Sequence, residues 1–204
     1  MLTKLKKKVQ DLLTSEAKAA HKIGLTPNSV SLIGLMLAFF SAAAYAIGQN
    51  QPVWLLTATV LLLASGFCDA LDGVIARIYQ QQSVLGGFLD SLLDRYADAA
   101  VFIGIIIGEL CEPLWGLAAL AGSLLVSYSR ARAEAAGIKL ESVGLAERAE
   151  RMIILSAASL AAIYWLPALN ISVVLLAILT NLTVLQRGLH VYNALKKKGD
   201  KIES

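Results

Sequence analysis

The sequence predicts an all-α integral membrane protein, with six transmembrane helices preceded by an N-terminal amphipathic helix at the membrane surface. Three observations carry this prediction. Hydrophobic residues make up 57% of the 204 and charged residues only 16%, against about half and about a quarter in a soluble domain. The apolar excess is gathered into six runs, at about 27–48, 53–79, 85–109, 113–136, 147–166 and 169–193, each close to the roughly 20 helical residues that cross a hydrocarbon core. Every Lys and Arg falls at the N-terminus, around 77–95, around 130–151 or from 187 onward, and all these places share one side of a six-span arrangement.

Residues 1–22 form the first element. Lys4, Lys6, Lys7, Lys8, Lys18 and Lys22 are interleaved with Leu2, Leu5, Val9, Leu12 and Leu13 at helical spacing, a pattern suited to an anionic membrane surface. No cleavable leader is expected, because the apolar segment that follows is too long for a signal core. At Gly24-Leu25-Thr26-Pro27-Asn28 the chain is punctuated: Thr26 can cap the next helix and Pro27 suits its first position. The separators 48–52, 111–113 and 167–170 contain no Lys or Arg. By the positive-inside rule, both termini therefore face the cytoplasm. Residues 23–204 are expected to form one transmembrane domain, without a separate soluble domain. Small residues such as Ser41-Ala42-Ala43-Ala44 and Ala157-Ala158-Ser159 favour close helix contact in lipid. Cys68 and Cys111 form no CxxC pair and are read as small apolar filler. His21 and His190 are read as interfacial residues.

The charge that composition does not explain is acidic. The second run ends Cys68-Asp69-Ala70-Leu71-Asp72-Gly73-Val74-Ile75-Ala76-Arg77, and the third begins Gly86-Gly87-Phe88-Leu89-Asp90-Ser91-Leu92-Leu93-Asp94. An ionisable group inside a membrane helix costs several kcal/mol unless compensated, which makes each a functional candidate. Asp69 and Asp72 are three residues apart and Asp90 and Asp94 four, so each pair shares a helix face. Four carboxylates in one dry site repel one another and take up protons unless cations intervene. All-oxygen ligation suits Mg²⁺ or Mn²⁺ better than Zn²⁺, and two antiparallel helices each presenting a pair could hold two ions for displacement at phosphorus. Beside Gly73 and Ala76 a nucleotide could approach the backbone. Structural pairing of the acids with Arg77, Arg95 and Arg130 is the plainer reading, but it needs no matched spacing on two helices.

Taken together, Asp69-x2-Asp72-Gly73-x2-Ala76-Arg77-x8-Gly86-x3-Asp90-x3-Asp94 resembles the signature of the CDP-alcohol phosphotransferase family at eight positions over 26 residues. The resemblance implies a six-helix membrane fold, a homodimer, and an active site open to the cytoplasm. It implies that Asp69, Asp72, Asp90 and Asp94 bind metal, with Asp94 also the general base for the acceptor hydroxyl. Asn28, Ser29, Val30, Ser31, Asp69, Gly73, Arg77 and Ser83 would contact the CDP-lipid. The expected cofactor is Mg²⁺ or Mn²⁺, two ions, and the expected partners are the substrates and membrane lipids; no nucleic acid is expected.

Ser127-Tyr128-Ser129-Arg130-Ala131-Arg132-Ala133-Glu134-Ala135-Ala136-Gly137, then Glu147-Arg148-Ala149-Glu150-Arg151 and Gln186-Arg187, resemble the branch of the family that makes phosphatidylinositol phosphate in bacteria and archaetidylinositol phosphate in archaea. A phosphorylated acceptor needs cations, and Arg offers bidentate recognition of phosphate oxygens. Arg130, Arg151 and Arg187, with Arg132 and Arg148, are assigned to the acceptor phosphate. Inositol phosphate ranks ahead of glycerol 3-phosphate. A cation transporter ranks far behind, because the acids lie at span ends and no internal repeat accompanies them.

Overall fold

All four prolines of the chain stand at the first position of a helix, where a missing N–H costs nothing and the fixed φ already suits the helix. The computed structural model describes residues 13–48, 51–140 and 143–200, and every regular element among them is helical: α1 Thr14–Lys22, α2 Pro27–Ile47, α3 Pro52–Ile78, α4 Val84–Ile107, α5 Pro113–Ala135, α6 Arg148–Ala162 and α7 Pro167–Asp200. Three of them, α2, α3 and the Pro167–Lys196 part of α7, are long and apolar enough to cross a membrane. Leu32, Met36, Phe39 and Phe40 of α2 and Leu56, Val60 and Leu63 of α3 lie exposed, as lipid-facing side chains do. The protein is a membrane protein with multiple helical spans.

The remaining expected spans differ in detail. In α4, Asp90, Asp94, Arg95 and Asp98 interrupt an otherwise apolar helix, and α5 ends in Arg130, Arg132 and Glu134. The run expected at 147–166 is helical only over the 15 residues of α6, about 22 Å at 1.5 Å per residue. There the helix is closed by a turn in which the N–H groups of Tyr164 and Trp165 return to Ala161 O.

By its contacts the chain divides into two compact units, Met1–Gly104 and Ile105–Ser204. In the first, α2 and α3 pack along one another. Gly34 is a point of close approach: a Cβ there would stand 3.1 Å from Cys68 Cβ and 3.4 Å from Ser65 O. Farther along, Ser41 Oγ donates to Ala58 O at 2.7 Å. A Cβ on Gly104 of α4 would meet Ala42 O at 2.3 Å, so α4 runs closer still to the α2 backbone. Helix α1 buries Ala17 and Ala20, with Leu13, on Leu71, Val74 and Ile75 of α3 and Val30 of α2, and His21 stacks on Tyr79 with ring centroids 3.5 Å apart. The described apolar face of the predicted surface helix thus packs on protein, leaving Lys18 and Lys22 exposed. Leu2, Leu5, Val9, Leu12 and Lys4, Lys6, Lys7 and Lys8 lie outside the described residues.

In the second unit α7 packs against both α5 and α6. Gly122 of α5 faces Thr180, whose Oγ1 would lie 2.2 Å from an added Cβ. Ser172, Thr180 and Thr183 turn their hydroxyls onto Leu169, Leu176 and Leu179 carbonyls, which satisfies them within the helix. Asn170 Oδ1 accepts from Glu112 N at 2.9 Å. Cys111 is buried, and burial pushes its thiol up to about 11, as befits packing rather than reactivity.

Candidate active site

The acidic site begins with the two helix starts that frame it. Thr26 and Ser29 form a capping box at the head of α2: Ser29 N donates to Thr26 Oγ1 at 3.2 Å and Thr26 N to Ser29 Oγ at 2.9 Å. At the head of α4, Gly86 N donates to Ser83 Oγ at 2.9 Å. These ends meet, because a Cβ on Gly86 would stand 2.9 Å from Ser83 Oγ and 3.5 Å from Asn28 Oδ1. Asn28, Ser83 and Gly86 therefore gather at one place, with Asn28 and Ser83 exposed.

Beside these starts, α3 and α4 bring Asp69, Asp72 and Asp90 together, with one carboxylate oxygen of each within 4.8 Å of those of the other two. Asp69 and Asp90 are half-buried and Asp72 is 6% exposed. Asp72 Oδ2 accepts a 2.5 Å hydrogen bond from Ser31 Oγ of α2. Mutual repulsion of three carboxylates grows as water is withdrawn, and a hard, all-oxygen donor set on rigid helices fits Mg²⁺ or Mn²⁺. Asp94, one turn beyond Asp90, pairs with Arg95 at 3.6 Å. Arg77 is exposed and folds back on its own helix, its Nε donating to Gly73 O at 2.8 Å.

Two residues expected at the nucleotide have structural engagements of their own. The Ser29 hydroxyl serves the capping box, and the Val30 side chain, 2% exposed, belongs to the core with α1 and α3. Helical periodicity explains this, since four consecutive residues cannot all face one side. The link from Ser31 to Asp72 was not foreseen. Ser31 lies one turn inside an apolar helix, a position with no distinctive sequence signal, and its partner is 41 residues away.

The arginines of the second unit differ in state. Arg130 is exposed and pairs with Glu134 at 2.9 Å on its own helix. Arg132 is exposed in the last turn of α5, and Arg148 opens α6. Arg151, 3% exposed, donates from Nη1 to Ala146 O at 2.9 Å. Arg187, 2% exposed, donates from Nε to Val143 O at 2.8 Å and from Nη1 to Val126 O at 2.6 Å, with Glu147 3.9 Å from Nη2. Arg187, expected at the acceptor phosphate, is thus engaged with backbone. Beside it Gly144 adopts φ +139°, and Leu145 N donates to Thr183 Oγ1 at 3.0 Å. Arg187 accordingly ties the segment that begins at Val143 to α5 and α7.

Comparison with known proteins agrees with the acidic motif. The family model for CDP-alcohol phosphatidyltransferases matches residues 24–185. The archaetidylinositol phosphate synthase of Pyrococcus horikoshii is 40% identical over 97% of this chain and 98% of its own length. The crystal structure of Mycobacterium tuberculosis phosphatidylinositol phosphate synthase with CDP-DAG bound matches with a TM-score of 0.78 at 29% identity, covering 89% of this chain and 94% of that one. The same enzyme in complex with manganese and citrate matches at 0.77 and 29%, covering 88% of each chain. Since both the signature helices and nearly the whole length take part in these likenesses, the chain belongs to the CDP-alcohol phosphatidyltransferase family.

Proposed function

We propose that this protein transfers the phosphatidyl or archaetidyl group of a CDP-linked lipid, CDP-diacylglycerol or CDP-archaeol, to a hydroxyl of myo-inositol phosphate. The products are CMP and a phosphatidylinositol phosphate or archaetidylinositol phosphate. The observation that carries the reading is the convergence of Asp69, Asp72 and Asp90 in a chain whose near-full-length relative is an inositol-phosphate lipid synthase.

Asp69, Asp72 and Asp90, with Asp94, would hold divalent ions, two by the pairing of the acids. When bound, such ions supply charge neutralisation for a pyrophosphate and its CMP leaving group. Asn28 and Ser83, at the joined helix starts, and Gly73 and Arg77, along α3, are the groups we assign to the CDP moiety. Asp94 accepts the proton of the acceptor hydroxyl. That oxygen forms a bond to the lipid-bearing phosphorus while the bond from this phosphorus to the CMP oxygen breaks. Arg130, Arg132, Arg148, Arg151 and Arg187 supply the cationic surroundings that a phosphorylated acceptor needs. Charge asymmetry among the loops supports cytoplasmic termini and a cytoplasmic site on a six-span enzyme, and the family resemblance supports a homodimer.

The test is CMP release by purified protein supplied with each CDP-lipid and each acceptor. Release should require inositol phosphate, stop with EDTA and return with Mg²⁺ or Mn²⁺. Preference for glycerol 3-phosphate would replace the acceptor assignment; turnover in EDTA would remove the metal.

A further inference from the structure

We infer that Ser31 is a positioning residue for the metal centre, holding the Asp72 carboxylate in its cation-binding orientation from the neighbouring helix. The inference rests on the proposed divalent-cation site and assigns Ser31 a part different from nucleotide contact. Ser31 Oγ lies 2.5 Å from Asp72 Oδ2 and 3.1 Å from Pro27 O. With one proton to give, the hydroxyl donates to the nearer acceptor, and a short O–H···O⁻ contact is the stronger kind.

The hydroxyl is itself held in place from both sides. One residue before it, Val30 is 2% exposed in a core shared with Leu71, Val74 and Ile75. Three residues after it, Gly34 brings the α2 backbone against Cys68 and Ser65. The Thr26–Ser29 capping box sets where α2 begins. Ser31 thus stands at a fixed separation from α3, opposite the most deeply buried Asp of the acidic trio. A free carboxylate turns about its last torsion, which is broad and shallow. One that accepts a hydrogen bond from a fixed hydroxyl keeps its plane, so its place relative to Asp69 and Asp90 exists before any cation arrives. Partners that orient metal ligands in this way commonly change affinity by 10–100-fold when removed.

The experiment is Mn²⁺ binding by the purified full-length protein in micelles, read from the electron paramagnetic resonance signal of free Mn²⁺. It uses wild type, Ser31→Ala, Ser31→Thr and Asp90→Asn, with thermal melting in the same micelles to check folding. Ser31→Ala should weaken Mn²⁺ binding roughly tenfold while Ser31→Thr, which keeps the hydroxyl, stays near wild type. At saturating Mn²⁺ the KM for CDP-lipid should not move. Ser31→Cys, similar in size but a weak donor, carries the same comparison where Ser31→Ala does not fold. Equal Mn²⁺ affinity in wild type and Ser31→Ala, with binding lost in Asp90→Asn, overturns the role of Ser31 and leaves the metal site standing. A raised KM for CDP-lipid with unchanged Mn²⁺ affinity also overturns it, in favour of direct lipid contact. Absence of Mn²⁺ binding in wild type, or binding indifferent to Asp90→Asn, overturns both readings.

Discussion

Within Met1–Gly104 three carboxylates from two helices converge within 4.8 Å, whereas within Ile105–Ser204 the arginines Arg130, Arg151 and Arg187 are each engaged by a nearby carboxylate or backbone carbonyl. The contrast lies in what each arrangement asks for. Like charges brought together on rigid helices raise the free energy until a cation joins them, so the acidic cluster points outward, to a ligand. A guanidinium that donates to fixed carbonyls, as Arg187 does, also holds loop and helix together. The teaching is that an intramembrane charge identifies a ligand site most directly when its neighbours share its sign.

The largest effect should come at the proton acceptor. Asp94→Asn removes basicity but little volume, and kcat should fall by about 10²–10⁴, with CDP-lipid binding retained in equilibrium measurements. Loss of lipid binding instead would move Asp94 from proton transfer to ligand holding. Next is Arg187→Gln, which strips hydrogen bonds from the Val143 and Val126 carbonyls and should lower stability by about 2–4 kcal/mol, seen as a lower melting temperature in micelles. If only the KM for acceptor rises and melting is unchanged, Arg187 serves the ligand and not the loop, and the contrast between the two regions weakens.

Arg130→Ala sharpens the same contrast from the other side. Its pair with Glu134 is half-exposed, so stability should change by less than about 1 kcal/mol. The KM for a phosphorylated acceptor should nonetheless rise about tenfold, the loss expected for one charge-assisted hydrogen bond. The smallest effect is expected of Thr26→Ala, which opens the capping box of α2 at a cost of about 1 kcal/mol. Differential melting should register that loss, and a change in Mn²⁺ affinity alongside it would extend the influence of the α2 start to Asp72.

Much of this was legible in the residues. Long apolar runs forecast helices because lipid leaves the backbone no partner but itself, and prolines at 27, 52, 113 and 167 mark four helix starts. Two acid pairs at helical spacing announced a shared site, since that spacing alone puts each pair on one face. The extent of α6 was not legible: hydropathy continues smoothly through Ile163, Tyr164 and Trp165, while the backbone turns there. Nor was the fate of the apolar face of α1, for Ala17 and Ala20 could have met lipid as well as Leu71, Val74 and Ile75.

By itself the sequence determined which residues are costly in a membrane, the helix faces they share, and the family signature they compose, because these depend on local spacing and solvation. Only the tertiary structure decided that Asp69, Asp72 and Asp90 converge, that Ser31 reaches Asp72, and that Arg187 binds Val143 and Val126. Those contacts join residues far apart along the chain, and whether two helices come close enough to make them is set by small residues such as Gly34 and Gly104, whose meaning appears only once the partner helix is in place.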